Sequence, residues 1–243
     1  MPLVFSAHGV PKAVPHKAAE RGLAFVDATC PLVSKVHRQA ERLVEAERHI
    51  LFIGHRGHPE VVGTLGQVPD GAMTLIETIA DAAAVVPADP ARLAFLTQTT
   101  LSVDDTREIV AILRRRFPSI QGPHGEDICY ATSNRQAAVK QIARLCEAML
   151  VIGAPNSSNS VRLVEVAERA GTRACLIQRA AALDLAWLAG VRTLGITAGA
   201  SAPETLVREL VARLAGHFEI SEREMAEVHE MMTFKLPCTL EAA

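Results

Sequence analysis

The chain has 243 residues, a formal net charge of −2, 49% hydrophobic residues and 21% charged ones. That length supports one large or two modest domains with a sizeable core, and the composition excludes a disordered chain. Near-neutral charge without like-charge runs argues against nucleic acid or anionic membrane as a partner, and no apolar segment approaches the roughly twenty residues that span a bilayer.

At the start, "MPLVFSAHGVP" lacks the basic lead and long apolar run of a signal peptide, so a cytoplasmic location is expected. It reads as a strand that enters a polar loop and a helix start. "LAFVDAT" reads as a buried strand and "PLVSKVHRQAERLVEAERH", headed by Cys30, as a helix. "ILFIGH" is a strand that opens into "HRGHPE". "LAFLTQTT" is another strand, followed by the helix "VDDTREIVAILRRRF". Cys129 then precedes the helix "RQAAVKQIARLCEA", which takes in Cys146. The strand "MLVIGA" leads to "NSSNS", "RACLIQ" places Cys175 in a strand, and "TLGITAG" leads to the helix "APETLVRELVARLAG". Strand and helix taking turns predicts an α/β fold with parallel sheets.

A repeat runs through this order. Cys129 follows Cys30 by 99 residues, Gly153 follows Gly54 by 99, and Thr197 follows Thr97 by 100. Both cysteine stretches open with an acid, Asp27 and Asp127, and run into a basic helix. The landmarks predict two copies of one module, residues 30–127 and 128–213. Residues 1–29 read as the tail of an earlier module, to which 214–243 return. If Ser6 corresponds to Thr97, which follows Cys30 by 67 residues, the earlier module's cysteine belongs near position −61.

The polar clusters fall at the carboxyl ends of predicted strands, where ligands bind in open α/β sheets. Loops that open helices offer free N–H groups and a positive dipole end, which suit an anion such as diphosphate. Ser157, Ser158, Asn159 and Ser201 fit that role and also the commoner one of helix capping. Cys30 and Cys129 lie at helix starts, where a thiolate is favoured as nucleophile or metal ligand. Cys146 and Cys175 read as core residues, and Cys238 has no counterpart in the repeat. With five cysteines and no CxxC, a disulfide framework, zinc ribbon or thioredoxin-type pair is not expected. His58 and Glu60 place a proton donor and a carboxylate in one loop. His55 and His58 also have the spacing of a weak metal pair. His16, His37, His49, His124, His217 and His229 read as surface or packing residues.

Together, "FSAHGV", "DATCPLVSKVH", "GHPEVVGT", "TQTTLSVDDT", "DICYATSNRQ", "SSNS" and "TAGASAPE" resemble the LytB (IspH) family, the 4-hydroxy-3-methylbut-2-enyl diphosphate reductases of the non-mevalonate isoprenoid pathway. The match is collinear over almost the whole chain. The resemblance implies three similar α/β modules in a pseudo-threefold arrangement around a central 4Fe–4S cluster, each giving one cysteine. Cys30 and Cys129 would be two ligands, with the third upstream. His8, His58, Ser157, Ser158, Asn159 and Ser201 would hold the diphosphate. Glu60 would supply protons, with Thr99 at the substrate hydroxyl and His58 beside them. Two electrons, from a ferredoxin- or flavodoxin-type donor, and two protons would remove the hydroxyl as water. The chain departs from the family in having Val62 where Glu is usual, and in lacking an N-terminal segment that carries the first cysteine and another histidine. Little reductase activity is therefore expected of these 243 residues alone. Two other readings are a cofactor-independent two-cysteine racemase and an inactive diphosphate-binding remnant.

Overall fold

Each apolar run read as a strand forms one, and every strand pairing is parallel. The computed structural model describes residues 2–123, 125–225 and 232–234. Two compact units divide the chain.

In the first unit (residues 2–99, 104–129 and 232–234, of those described), β1 (Leu3–Phe5) pairs with β2 (Phe25–Asp27). A second sheet places β3 (His49–Ile53) between β4 (Met73–Ile76) and β5 (Leu93–Thr97). The helices are α1 (Ala13–Glu20), α2 (Pro31–Glu45), α3 (Pro59–Leu65), α4 (Ile79–Ala84) and, from its second residue on, α5 (Val103–Arg116). In α2, Pro31 follows the Cys30 cap, where a missing N–H costs nothing, and Val33, Val36 and Ala40 form the buried stripe. Val36 and Ala40 pack on Ile50 and Phe52 of β3.

The second unit (residues 100–103 and 130–225, of those described) holds α6 (Tyr130–Ala143), α7 (Ser158–Arg169) and α8 (Glu204–Ala215). Its sheet places β6 (Ala148–Ile152) between β7 (Arg173–Ile177) and β8 (Leu194–Ala198), repeating the strand order of the first unit. β6 is buried along its whole length, as a central parallel strand covered on both faces must be.

Strand pairing corrects one landmark of the repeat. Ile53 pairs with Thr97, and Ile152, its counterpart, pairs with Ala198. Thr97 therefore corresponds to Ala198, and Thr197 lies one residue off, on the opposite face of its strand.

Helix boundaries differ from the expectation in three places. α6 begins at Tyr130, because its buried stripe opens on polar Thr132 and Gln136 before reaching Val139 and Ala143. Cys146 lies past the end of that helix, in the turn before β6, packed against the core with its thiol pushed up by burial. Ser201 does not cap α8; that position belongs to Pro203. Cys238, His124 and His229, and most of the segment expected to return to the first module, lie outside the described residues.

Candidate active site

In the first unit the loop after β1 makes a tight turn, closed by the Gly9 N–H donating to the Ser6 carbonyl at 3.0 Å. Gly9 has φ +76°, a conformation that glycine adopts without strain. Helix α3 grips the far side of this loop. The Gln67 amide donates to Val10 O at 2.8 Å, and a Cβ on Gly63 would come within 3.1 Å of the Gly9 backbone. The grip sets His8 against His58, edge to face, with ring centroids 5.4 Å apart.

His58 caps α3: its Nδ1 accepts from the Glu60 N–H at 3.2 Å. That bond leaves the proton of the neutral ring on Nε2. Burial first, then His8 and His55, push its pKa down to about 4. At neutral pH, His58 is an uncharged N–H donor.

Glu60 is 1% exposed. Its Oε1 accepts from the Thr99 N–H at 2.6 Å and its Oε2 from the Thr99 hydroxyl at 2.9 Å. Burial pushes its pKa up to about 7; the Thr99 hydrogen bonds oppose this rise and the nearby Asp127 charge adds to it. An acid poised near neutrality and bonded to a hydroxyl is suited to delivering a proton. Val62 is 48% exposed, on the solvent face, so the residue at this position does not lie beside the Glu60 carboxyl.

Both helix-start cysteines are tied to strand ends in the same way. The Cys30 N–H donates to Ala7 O at 3.0 Å, and the Cys129 N–H donates to Thr99 O at 2.9 Å. Each carbonyl lies two residues beyond its strand, β1 or β5. Both cysteines are half-buried thiols outside any disulfide, and the Cys30 side chain makes no capping bond. Soft donors at helix N-termini fit thiolate ligation of an iron–sulfur cluster. Among the described residues no three His, Cys, Asp or Glu are grouped to hold a metal ion, so the fit rests on these two thiols.

The sequence motifs give no role to Lys35 and mark Asp127 only as the acid that opens its stretch. Asp127 is buried, its Oδ2 accepts from the Thr97 N–H at 3.2 Å, and Lys35 Nζ lies 3.4 Å from its Oδ1. Nothing in the local sequence separates such a buried acid from a solvated one near a helix start.

In the second unit, Ser157 caps α7 and accepts from the Ser160 N–H and hydroxyl. Ser158 and Asn159 fall in the first helical turn. Gly153 and Gly199 both press on the Ser160 side chain and leave no room for a Cβ. The Thr100 hydroxyl donates to Ser158 Oγ at 3.2 Å. Asn159 is 5% exposed, yet neither Oδ1 nor Nδ2 has a hydrogen-bond partner. A buried amide without partners is costly to fold and fits a residue kept for a ligand. Ser201 lies exposed in the turn before α8.

Repeated parallel α/β modules that gather thiols at helix starts and a buried acid beyond their strand ends have the form of an α/β enzyme. The LytB protein family matches residues 1–215. The 4-hydroxy-3-methylbut-2-enyl diphosphate reductase of Phenylobacterium zucineum is 62% identical over 239 residues, 98% of this chain and 76% of that protein. Among solved structures, the E-1-hydroxy-2-methyl-but-2-enyl-4-diphosphate reductase of Plasmodium falciparum has a TM-score of 0.95 at 33% identity, covering 99% of this chain and 76% of that one. A second, described as the terminal enzyme of the non-mevalonate pathway, has a TM-score of 0.58 at 30% identity over 88% of this chain and 75% of its own. The chain belongs to the LytB family. That membership decides against the racemase reading. Among the described residues no helix is long and apolar enough to cross a membrane.

Proposed function

We propose that the chain reductively removes the C4 hydroxyl of 4-hydroxy-3-methylbut-2-enyl diphosphate, giving isopentenyl and dimethylallyl diphosphate. Each turnover takes up two electrons and two protons and releases one water. The single observation that carries the mechanism is Glu60: a buried carboxyl with a pKa near 7, bonded through both oxygens to Thr99.

In this reading Cys30 and Cys129 would be two of the thiolates that hold a 4Fe–4S cluster, and residues 1–29 belong to a further module. Residues 30–127 and 128–213 are the other two modules. When bound, the cluster supplies electrons and a Lewis-acid site for the substrate oxygen. Protonated Glu60 donates from Oε2 to Thr99 Oγ1, whose own O–H turns to the departing hydroxyl. One proton thus leaves the carboxyl and arrives on the oxygen that becomes water. The His58 Nε2–H, His8, the Ser157, Ser158 and Ser201 hydroxyls and the Asn159 amide bind the diphosphate. Polar donors backed by a helix N-terminus bind an anion without a dedicated ammonium. A ferredoxin- or flavodoxin-type protein delivers the electrons, in the cytoplasm.

The test is anaerobic turnover of the cluster-reconstituted protein with a reduced one-electron donor, with products identified by mass. Formation of both five-carbon diphosphates is the expected result for the protein with its full set of cluster thiolates, and little turnover is expected of residues 1–243 assayed alone. A fully loaded protein that binds substrate and leaves the hydroxyl in place would overturn the proposal and favour a diphosphate-binding remnant.

A further inference from the structure

Lys35 has no part in the chemistry above, yet it joins the two cysteine segments. It lies five residues into the stretch that Cys30 begins, on the second turn of α2. Its ammonium donates to the Glu126 carbonyl at 2.9 Å and pairs with Asp127 at 3.4 Å. Those two residues stand three and two ahead of Cys129. The other oxygen of Asp127 accepts from the Thr97 N–H, at the end of the strand whose following loop holds both Glu60 and the Cys129 N–H. The Asp127 side chain is fully buried and that of Lys35 is 32% exposed, so this link is no solvated surface pair. A buried carboxylate needs a partner, and here the partner arrives from the other cysteine's helix.

We propose that Lys35 is a positioning residue for the cluster: through Glu126 and Asp127 it holds the Cys30 helix and the Cys129 segment at a fixed spacing, so that both thiols meet one cofactor. The inference rests on Cys30 and Cys129 being the ligands. It does not require Lys35 to touch the cluster or the substrate.

The experiment measures iron and sulfide per protein after anaerobic reconstitution, with the thermal unfolding of the apoprotein read in parallel. Lys35→Met is expected to weaken iron binding by about tenfold, as loss of a supporting residue behind metal ligands commonly does. Lys35→Arg keeps a cation there and is expected to retain most of the iron. Lys35→Met alone strands a buried carboxylate, so Lys35→Met/Asp127→Asn, with neither charge, guards against simple misfolding. If the pair holds the spacing, this double variant regains the unfolding temperature while its iron binding and its reduced-cluster EPR signal stay impaired. Full iron loading in the double variant would overturn the proposal, since the pair would then serve folding only. Cys30→Ser and Cys129→Ser, run alongside, keep the two failures apart. If both load iron normally, the ligand assignment itself falls; if they lose iron while the double variant keeps it, only the role of Lys35 does.

Discussion

After β3 the chain passes Gly54 and enters a helix capped by His58; after β6 it passes Gly153 and enters one capped by Ser157. At the common offset of 99 residues, His58 corresponds to Ser157, Glu60 to Asn159 and Val61 to Ser160. Glu60 and Asn159 are both buried, in matching first turns. Their partners differ. Two residues past β5 stands Thr99, which donates twice to Glu60, whereas two residues past β8 stands Ala200, which has no hydroxyl to give. One copy thus holds an acid bonded through both oxygens, and the other holds an amide with both polar atoms unpaired. Under the proposed function, the same backbone turn would serve proton delivery in one module and ligand binding in the other, through one residue in the helix and one in the facing loop.

The largest expected effect comes from removing the acid. Glu60→Gln keeps the shape and the Thr99 contacts but cannot give a proton. Turnover should fall by about 10²–10⁴-fold with little change in KM, measured by anaerobic steady-state assay. Near-normal turnover would assign proton delivery elsewhere.

The same variant has a second signature, in stability. The unfolded carboxyl titrates near 4.5 and the folded one near 7, so the stability contributed by its protonated form is full below pH 4.5 and is lost as pH rises through 7. Glu60→Gln escapes that loss. Relative to the unsubstituted protein, it should gain about 3 kcal/mol of apoprotein stability between pH 4.5 and 8, measured by denaturant unfolding at both pH values.

For the second copy the expectation is reversed. Asn159→Ala should raise KM by about tenfold or more, the worth of a hydrogen bond to a charged group, while turnover at saturation changes little. Because the amide has no internal partner, the apoprotein should not lose the stability expected for a buried polar contact, and calorimetry would show it. A large drop in unfolding temperature would mean that Asn159 serves the fold.

The smallest effect is predicted at Val62. Since it is 48% exposed, Val62→Glu should change stability by less than about 0.5 kcal/mol and leave turnover near that of the unsubstituted protein.

Much of this architecture can be read from residue order. Continuous apolar strands such as "MLVIGA" and "LAFLT", alternating with amphipathic helices, announce parallel sheets, and the 99-residue offset announces the repeat. The half-buried edge strand β4 and the short helices α1, α3 and α4 do not show in the same way, because six to eight residues carry too little periodicity. Motifs pointed to Glu60 and Thr99 individually, but the bond between them joins positions 39 residues apart and depends on strand ends brought together by the sheet. The same holds for Lys35 and Asp127, 92 residues apart, where neither local pattern distinguishes a half-buried pair from solvated charges.

The most direct measurement is the pH dependence of kcat/KM for the reconstituted protein and for Glu60→Gln between pH 5 and 9. With Glu60 as the acid, the unsubstituted protein should lose activity as pH rises through a single ionisation near 7, and the variant should show a low, flat profile. No histidine limb is expected from His58, which is already neutral above about pH 4. An alkaline limb that persists near pH 7 in Glu60→Gln would contradict the assignment of the proton to this carboxyl.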